Sequence, residues 1–196
     1  QEDDPPYIES LGEHWGALCG DPALASDWAD QLLPMVRLVL ADRASGTYAY
    51  SKSSTLCYSA LFHAGRFDDL LSVLALDPRP YWHDQQWAAK ALAARGDVDG
   101  GIDMIEALRS RHAPDMALSA VAEQLLLDAG RIDEAYARYG IQATSANTNI
   151  ATFRAIAKRY PGIEPSRILG DLIVSTPGEE GKWFATAKTL KQYDLA

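Results

Sequence analysis

Cysteine, histidine and positive charge are all scarce in this chain. Two cysteines, Cys19 and Cys57, are too few for a disulfide framework. Both fall inside apolar helical patterns and read as small buried hydrophobes of a reducing, cytoplasmic setting. The four histidines, His14, His63, His83 and His112, form no HxxxH pattern, and there is no CxxC to complement them. His63 and His83 fall on adjacent repeats, where metal-free surface histidines are the plainer reading. Lys and Arg number 18 against 27 Asp and Glu, for a net charge of −9 and a pI near 4.8. That balance opposes a phosphate backbone as main partner, because such binding needs clustered cations. Long apolar runs are missing too. The longest candidate, Leu32 to Ala41, is interrupted by Pro34 and Arg37 and falls short of the ~18 residues that a bilayer span requires. No nucleic acid and no membrane are expected as partners.

Catalytic signatures are equally thin. There is no Gly-x-Ser-x-Gly elbow, and Cys57 occupies a packing position rather than a nucleophile's. Gly100-Gly101 falls inside a repeat helix instead of cradling a phosphate. Asp68-Asp69 and Glu179-Glu180 stand at helix starts, where the helix dipole accounts for them. The expectation is a protein that is not an enzyme and carries no cofactor and no metal.

What the chain does have is repetition. Ala60-Leu-Phe-His-Ala-Gly-Arg-Phe-Asp-Asp69 recurs as Ala91-Leu-Ala-Ala-Arg-Gly-Asp-Val-Asp-Gly100 and as Leu125-Leu-Leu-Asp-Ala-Gly-Arg-Ile-Asp-Glu134. Gly65, Gly96 and Gly130 are 31 and 34 residues apart. A leucine stands four residues before each glycine (Leu61, Leu92, Leu126) and a small residue eight before it (Cys57, Ala88, Ala122). That spacing puts both on one helical face. The glycine is the helix stop, where a left-handed backbone is tolerated only without a Cβ. An apolar anchor follows (Phe67, Val98, Ile132), then an aspartate (Asp68, Asp99, Asp133) that meets the positive end of the next helix. Leu71 and Leu74, Ile102 and Ile105, and Tyr136 and Tyr139 are the apolar positions of the second helices. A two-helix unit cannot bury its apolar face alone, so neighbours must stack.

These units resemble the tetratricopeptide family over roughly the middle half of the chain. Gly130-Arg-Ile-Asp-Glu-Ala135 is close to that family's interhelical turn, and Gly101 and Ala135 supply its small packing residues. Leu70 departs from the pattern in the first unit, and the family's aromatic and glycine combination in the first helices is missing. The resemblance implies an all-α fold, a right-handed superhelical solenoid of antiparallel hairpins, and a protein-interaction scaffold. Pro177-Gly-Glu-Glu-Gly-Lys-Trp-Phe-Ala-Thr-Ala-Lys188 is similar to bacterial tetratricopeptide-like proteins, which implies a bacterial origin.

Around the repeats, Tyr7 to Leu18 reads as a first helix closed by Gly20-Asp21-Pro22. A second is expected over Ser26–Asp42, capped by Ser26, with Trp28, Leu32, Met35, Val36 and Val39 inward and a kink at Pro34. These helices and the loop around Tyr48 and Tyr50 make residues 1–50 an N-terminal cap. Residues 51–196 carry the repeats, in one solenoid domain overall. Ser145 is expected to cap a helix carrying Ile150, Phe153, Ile156 and Tyr160, and Pro165 to open another. Thr176-Pro177-Gly178-Glu179 reads as a capping box for a helix through Trp183, Phe184 and Leu190. Tyr193-Asp194-Leu195-Ala196 echoes Phe67-Asp68-Asp69-Leu70, so the last hairpin is expected to be truncated, its exposed helix serving self-association.

The expected binding face is the concave side lined by first helices. Residues offset from Cys57 and Leu61 at helical spacing are Lys52, Thr55, Ser59 and Phe62. The second unit gives His83, Gln86 and Lys90, and the third Ala117, Ala120 and Gln124. Lysines, a histidine and amides on an acidic protein suit the carboxylates of a protein or peptide partner. An accessory helical domain of a larger enzyme is the alternative reading.

Overall fold

The structure, a computed structural model, describes residues 7–46, 51, 53–78, 80–109 and 114–192. Among these residues there is no strand, and no helix is long and apolar enough to cross a membrane. The chain divides into two compact units, Gln1–Ala107 and Leu108–Ala196. The division falls inside the repeat region, between the second and third repeats.

The first unit begins with α1 (Tyr7–Leu18) and α2 (Pro22–Ala44), followed by α3 (Ser53–His63), α4 (Phe67–Leu74), α5 (Trp82–Ala94) and α6 (Val98–Leu108). Helix α2 starts four residues earlier than expected. Asp21, not Ser26, is its N-cap, its carboxylate accepting from the Ala23 N–H at 3.0 Å with proline at the first helical position. Its inward face agrees at Val36, with Leu32 and Val39 half-buried, and differs elsewhere. Ala25, Ala29, Leu33, Val36 and Leu40 are buried, whereas Met35 is 53% exposed and Trp28 only half-buried. Small alanines let α2 approach α3 closely, which turns the bulkier Trp28–Met35 line toward the surface.

The three repeats share one turn. Gly65, Gly96 and Gly130 have φ of +72°, +95° and +74°, and a Cβ there would meet nothing. Glycine is needed for the dihedral, not for space. The next residue's N–H then reaches back to the leucine carbonyl: Arg66 to Leu61 at 2.9 Å, Asp97 to Leu92 at 3.0 Å, Arg131 to Leu126 at 2.8 Å. These bonds satisfy carbonyls that a helix end leaves open. Asp68, Asp99 and Asp133 fall in the first turn of the following helix, as the spacing predicts. Cys57, Leu61, Ala88, Ala122 and Leu126 are buried, as are Leu74, Ile102, Ile105, Tyr136 and Tyr139; Leu92 and Leu71 are half-buried. The core of the first unit joins Leu33, Val36 and Leu40 of α2 to Tyr58 and Leu61 of α3, Leu70 and Val73 of α4, and Trp87 of α5. Each such buried side chain contributes about 1.5–3 kcal/mol.

In the second unit, α7 (Asp115–Asp128) and α8 (Ile132–Ala135) form the third repeat. Its second helix widens at once into a π turn, Tyr136–Gly140. The remainder is α9 (Asn149–Arg159), α10 (Pro165–Val174), a 3₁₀ turn (Glu180–Trp183) and α11 (Phe184–Thr189). Thr148 caps α9 instead of Ser145, its hydroxyl accepting from the Ala151 N–H at 3.2 Å. The expected capping box does not form. Gly178 takes φ +80°, and the Thr176 hydroxyl points back to the Leu172 and Ile173 carbonyls, closing α10 instead of opening a new helix. The same oxygen accepts from the Trp183 indole at 2.9 Å. Trp183 is buried and Phe184 exposed.

Candidate functional site

Helix α1 crosses α3 at two glycines one turn apart. A Cβ on Gly16 would lie 2.2 Å from the Ser59 carbonyl oxygen, and one on Gly12 3.3 Å from Leu56 Cδ1. With no side chain in the way, the Gly16 N–H donates to Ser59 Oγ at 3.0 Å, and Ser59 donates on to the Glu13 carbonyl at 2.9 Å. This crossing corrects the expected groove. Ser59 is fully enclosed beneath α1, and Thr55 packs against Gly12. The α3 face expected to meet a ligand is therefore covered by the chain's own first helix. Gln86 is also buried, and its amide is engaged by the His83 carbonyl at 3.0 Å. Gln124 is exposed in the second unit, held by Arg159 at 2.8 Å and by Asp128 at 2.6 Å, with Ala117 and Ala120 half-buried on the same helix. Lys52 lies outside the described residues.

Phe62 and Lys90 do come together. Lys90 Nζ sits 4.4 Å from the centroid of the Trp87 ring, and Phe62 packs against Trp87 at 5.8 Å and against His63 at 5.4 Å. A cation over an indole is held by the ring quadrupole. His63 lies at the rim; partial burial, then the charges of Lys90 and His14, holds its pKa below the ordinary histidine value. Lys90 and the exposed His63, beside the half-buried Phe62 and over the buried Trp87, form a small basic patch on an acidic chain. Such a patch can take a carboxylate.

His83 belongs to a different cluster, one that the sequence does not announce. Arg43, at the end of α2, is buried and paired with the buried Asp77, and lies 3.8 Å from the buried Asp84. Asp84 in turn is 3.3 Å from His83 Nε2. Tyr81 stacks on His83 at 5.6 Å and lies beneath the Arg43 guanidinium at 5.3 Å. Burial raises the Asp84 pKa above its ordinary value, and it raises that of the buried Tyr58 phenol as well. The one signal that could have found this cluster is positional: Arg43 continues the inward line Val36–Leu40 at i+3 and i+4 spacing. A charged residue on a core stripe must be paired.

The second unit holds two phenols against carboxylates. Tyr160 donates to the buried Glu123, which Arg159 also contacts at 2.8 Å, and Tyr136 donates to Asp171 at 2.6 Å. The two rings meet edge-on at 5.2 Å, close against Gly140 in the π turn. Among the described residues, no three His, Cys, Asp or Glu side chains gather as metal ligands. No protein-family model matches the chain, and neither the curated proteins nor the solved structures include a match, so the reading of these sites rests on their own geometry.

Proposed function

We propose that this chain is a non-enzymatic scaffold, a tetratricopeptide-like array of hairpins expected to wind as a right-handed solenoid and to bind an acidic peptide or protein segment. The observation that carries this reading is the threefold recurrence of one turn, with the same left-handed glycine and the same return bond to a leucine carbonyl. Recurrent hairpins present recurrent surfaces, and binding on such a surface needs no reaction centre. The binding face we assign is the patch of Phe62, His63 and Lys90, with the buried Trp87 as its floor, in place of the covered Thr55–Ser59 face. Both cysteines are free thiols, which supports a cytoplasmic setting.

Acidic peptides titrated against the full chain test this. Binding is expected to tighten as pH falls below about 6.5, because a carboxylate stabilises the protonated His63 that partial burial, and then Lys90 and His14, disfavour in the free chain. Lys90→Ala with His63→Ala should weaken it by about tenfold, typical of losing a charge contact at an interface. Unchanged affinity in that double variant, with helicity retained, would remove the assignment.

A further inference from the structure

Between α1 and α2 lies a cleft of about 220 Å³ lined by Trp15, Leu18, Cys19, Leu24 and Trp28. Trp15 and Trp28 form its walls, meeting edge-on at 5.1 Å. Leu18 and Leu24 at its lip are 61% and 45% exposed. From the cleft an apolar line continues along α2, through Met35 to Leu38, which is 68% exposed. Leu24, Trp28, Met35 and Leu38 share one side of the helix, with the exposed Gln31 among them, over about 21 Å at 1.5 Å per residue. A cleft this small is below the ~300 Å³ at which small-molecule sites begin. It suits one large side chain, with the line beyond it accommodating the rest of a helix.

Charge names the partner's sign. From Tyr7 to Leu38 the sequence has Glu9, Glu13, Asp21, Asp27 and Asp30 against a single lysine or arginine, Arg37. Asp21 and Asp27 stand one turn either side of Leu24 on the lip. Asp30 lies on the other side of the helix, where Arg66 Nη1 already meets it at 2.6 Å, so it takes no part in this surface. We propose that the α1–α2 cleft and the apolar line of α2 dock a basic amphipathic helix of a partner protein, with one large apolar side chain seated between Trp15 and Trp28. This surface is independent of the α3–α5 patch and opposite to it in the charge it selects.

The test uses the full chain and a labelled helical peptide of about 18 residues, with a leucine face and a lysine face, long enough to cover the line. A second peptide replaces every lysine with glutamate. The lysine peptide is expected to bind at least about tenfold more tightly than the glutamate peptide, with the preference shrinking as salt rises. Leu18→Ser with Leu24→Ser leaves the charge unchanged and alters only exposed side chains, and it should weaken the lysine peptide by about tenfold. Bound peptide should also slow alkylation of Cys19. Cys57 does not confuse that readout, since burial raises its thiol to about 12. Equal binding of the two peptides, or unaltered affinity in the double variant, would overturn the proposal. So would a concentration-dependent dimer that the double variant abolishes, which would give the cleft to a second copy of this chain. Should the variant fail to fold, unprotected Cys19 in the native chain with peptide bound would itself decide against the cleft.

Discussion

Gly16 leaves no room for a side chain, and its neighbour one turn back does. Replacing a glycine in a helix interior with alanine ordinarily stabilises by about 1 kcal/mol. At Gly16 the new methyl would strike the Ser59 carbonyl, which is backbone and cannot move aside. Overpacking of that kind costs about 1–3 kcal/mol, and the hydrogen bond to Ser59 Oγ would be lost with it, about 1 kcal/mol more. Gly16→Ala should therefore lower the urea midpoint, while Gly12→Ala, meeting the movable tip of Leu56 at 3.3 Å and Thr55 at ordinary contact distance, should leave it level or raise it. Asp84 offers a test by pH. Burial raises its pKa, so between the ordinary carboxylate range and that raised value the folded chain holds a proton that the unfolded chain has released. Stability should then fall as pH rises through this window, and Asp84→Asn should flatten the fall in a series of denaturation curves. Neither Gly16 nor Asp84 was legible as special. A left-handed glycine such as Gly65 declares itself through its own dihedral and its neighbours' pattern. A close approach depends on which helix crosses, and the local sequence does not encode that.

At the scale of elements, the repeated turn makes a prediction of equality. Gly65, Gly96 and Gly130 share a left-handed φ in open space, so alanine at any of them incurs the same dihedral strain, about 1–2 kcal/mol, with no steric term. The three single variants should show similar falls in stability by chemical denaturation, and asparagine should cost less than alanine at each. The repeat helices were readable because their apolar spacing and their stop signal agree. Helix α2 was readable in existence but misassigned in its facing. Trp28 and Met35 outrank Ala25 and Ala29 in hydrophobicity, yet the alanines face inward because only they permit close contact with α3. Thr176 was misread for a related reason. A threonine followed by proline suits a helix start, but Gly178 two residues later turns the chain left-handed and leaves the hydroxyl to close the helix behind it. The early widening of the third repeat into a π turn likewise has no local cause. It accompanies the meeting of Tyr136 with Tyr160 and Asp171, which come from elements 24 and 35 residues further on.

Across the described residues, the all-helical class was legible in the apolar spacing of the repeats together with the family resemblance, while the candidate sites were not. Of the expected binding residues, Phe62 and Lys90 lie on one patch, because they occupy neighbouring helices α3 and α5 whose packing the repeat implies. Ser59 and Gln86 were lost from it, since helical spacing selects a side of a helix but not what lies against that side. The buried phenols give the molecule one further property, visible in ultraviolet light. Tyr58, Tyr136 and Tyr160 all have their pKa raised, by burial first and then by neighbouring carboxylates. The unfolded chain would ionise these groups near pH 10, so above that pH each withholds a deprotonation that only unfolding can release, and stability falls with every further step in pH. Tyrosinate absorbance in an alkaline titration should therefore lag behind that of the urea-unfolded chain and then rise abruptly as helicity collapses. Tyr136→Phe with Tyr160→Phe should shrink that late rise, making the phenols of the second unit an intrinsic optical reporter of its unfolding.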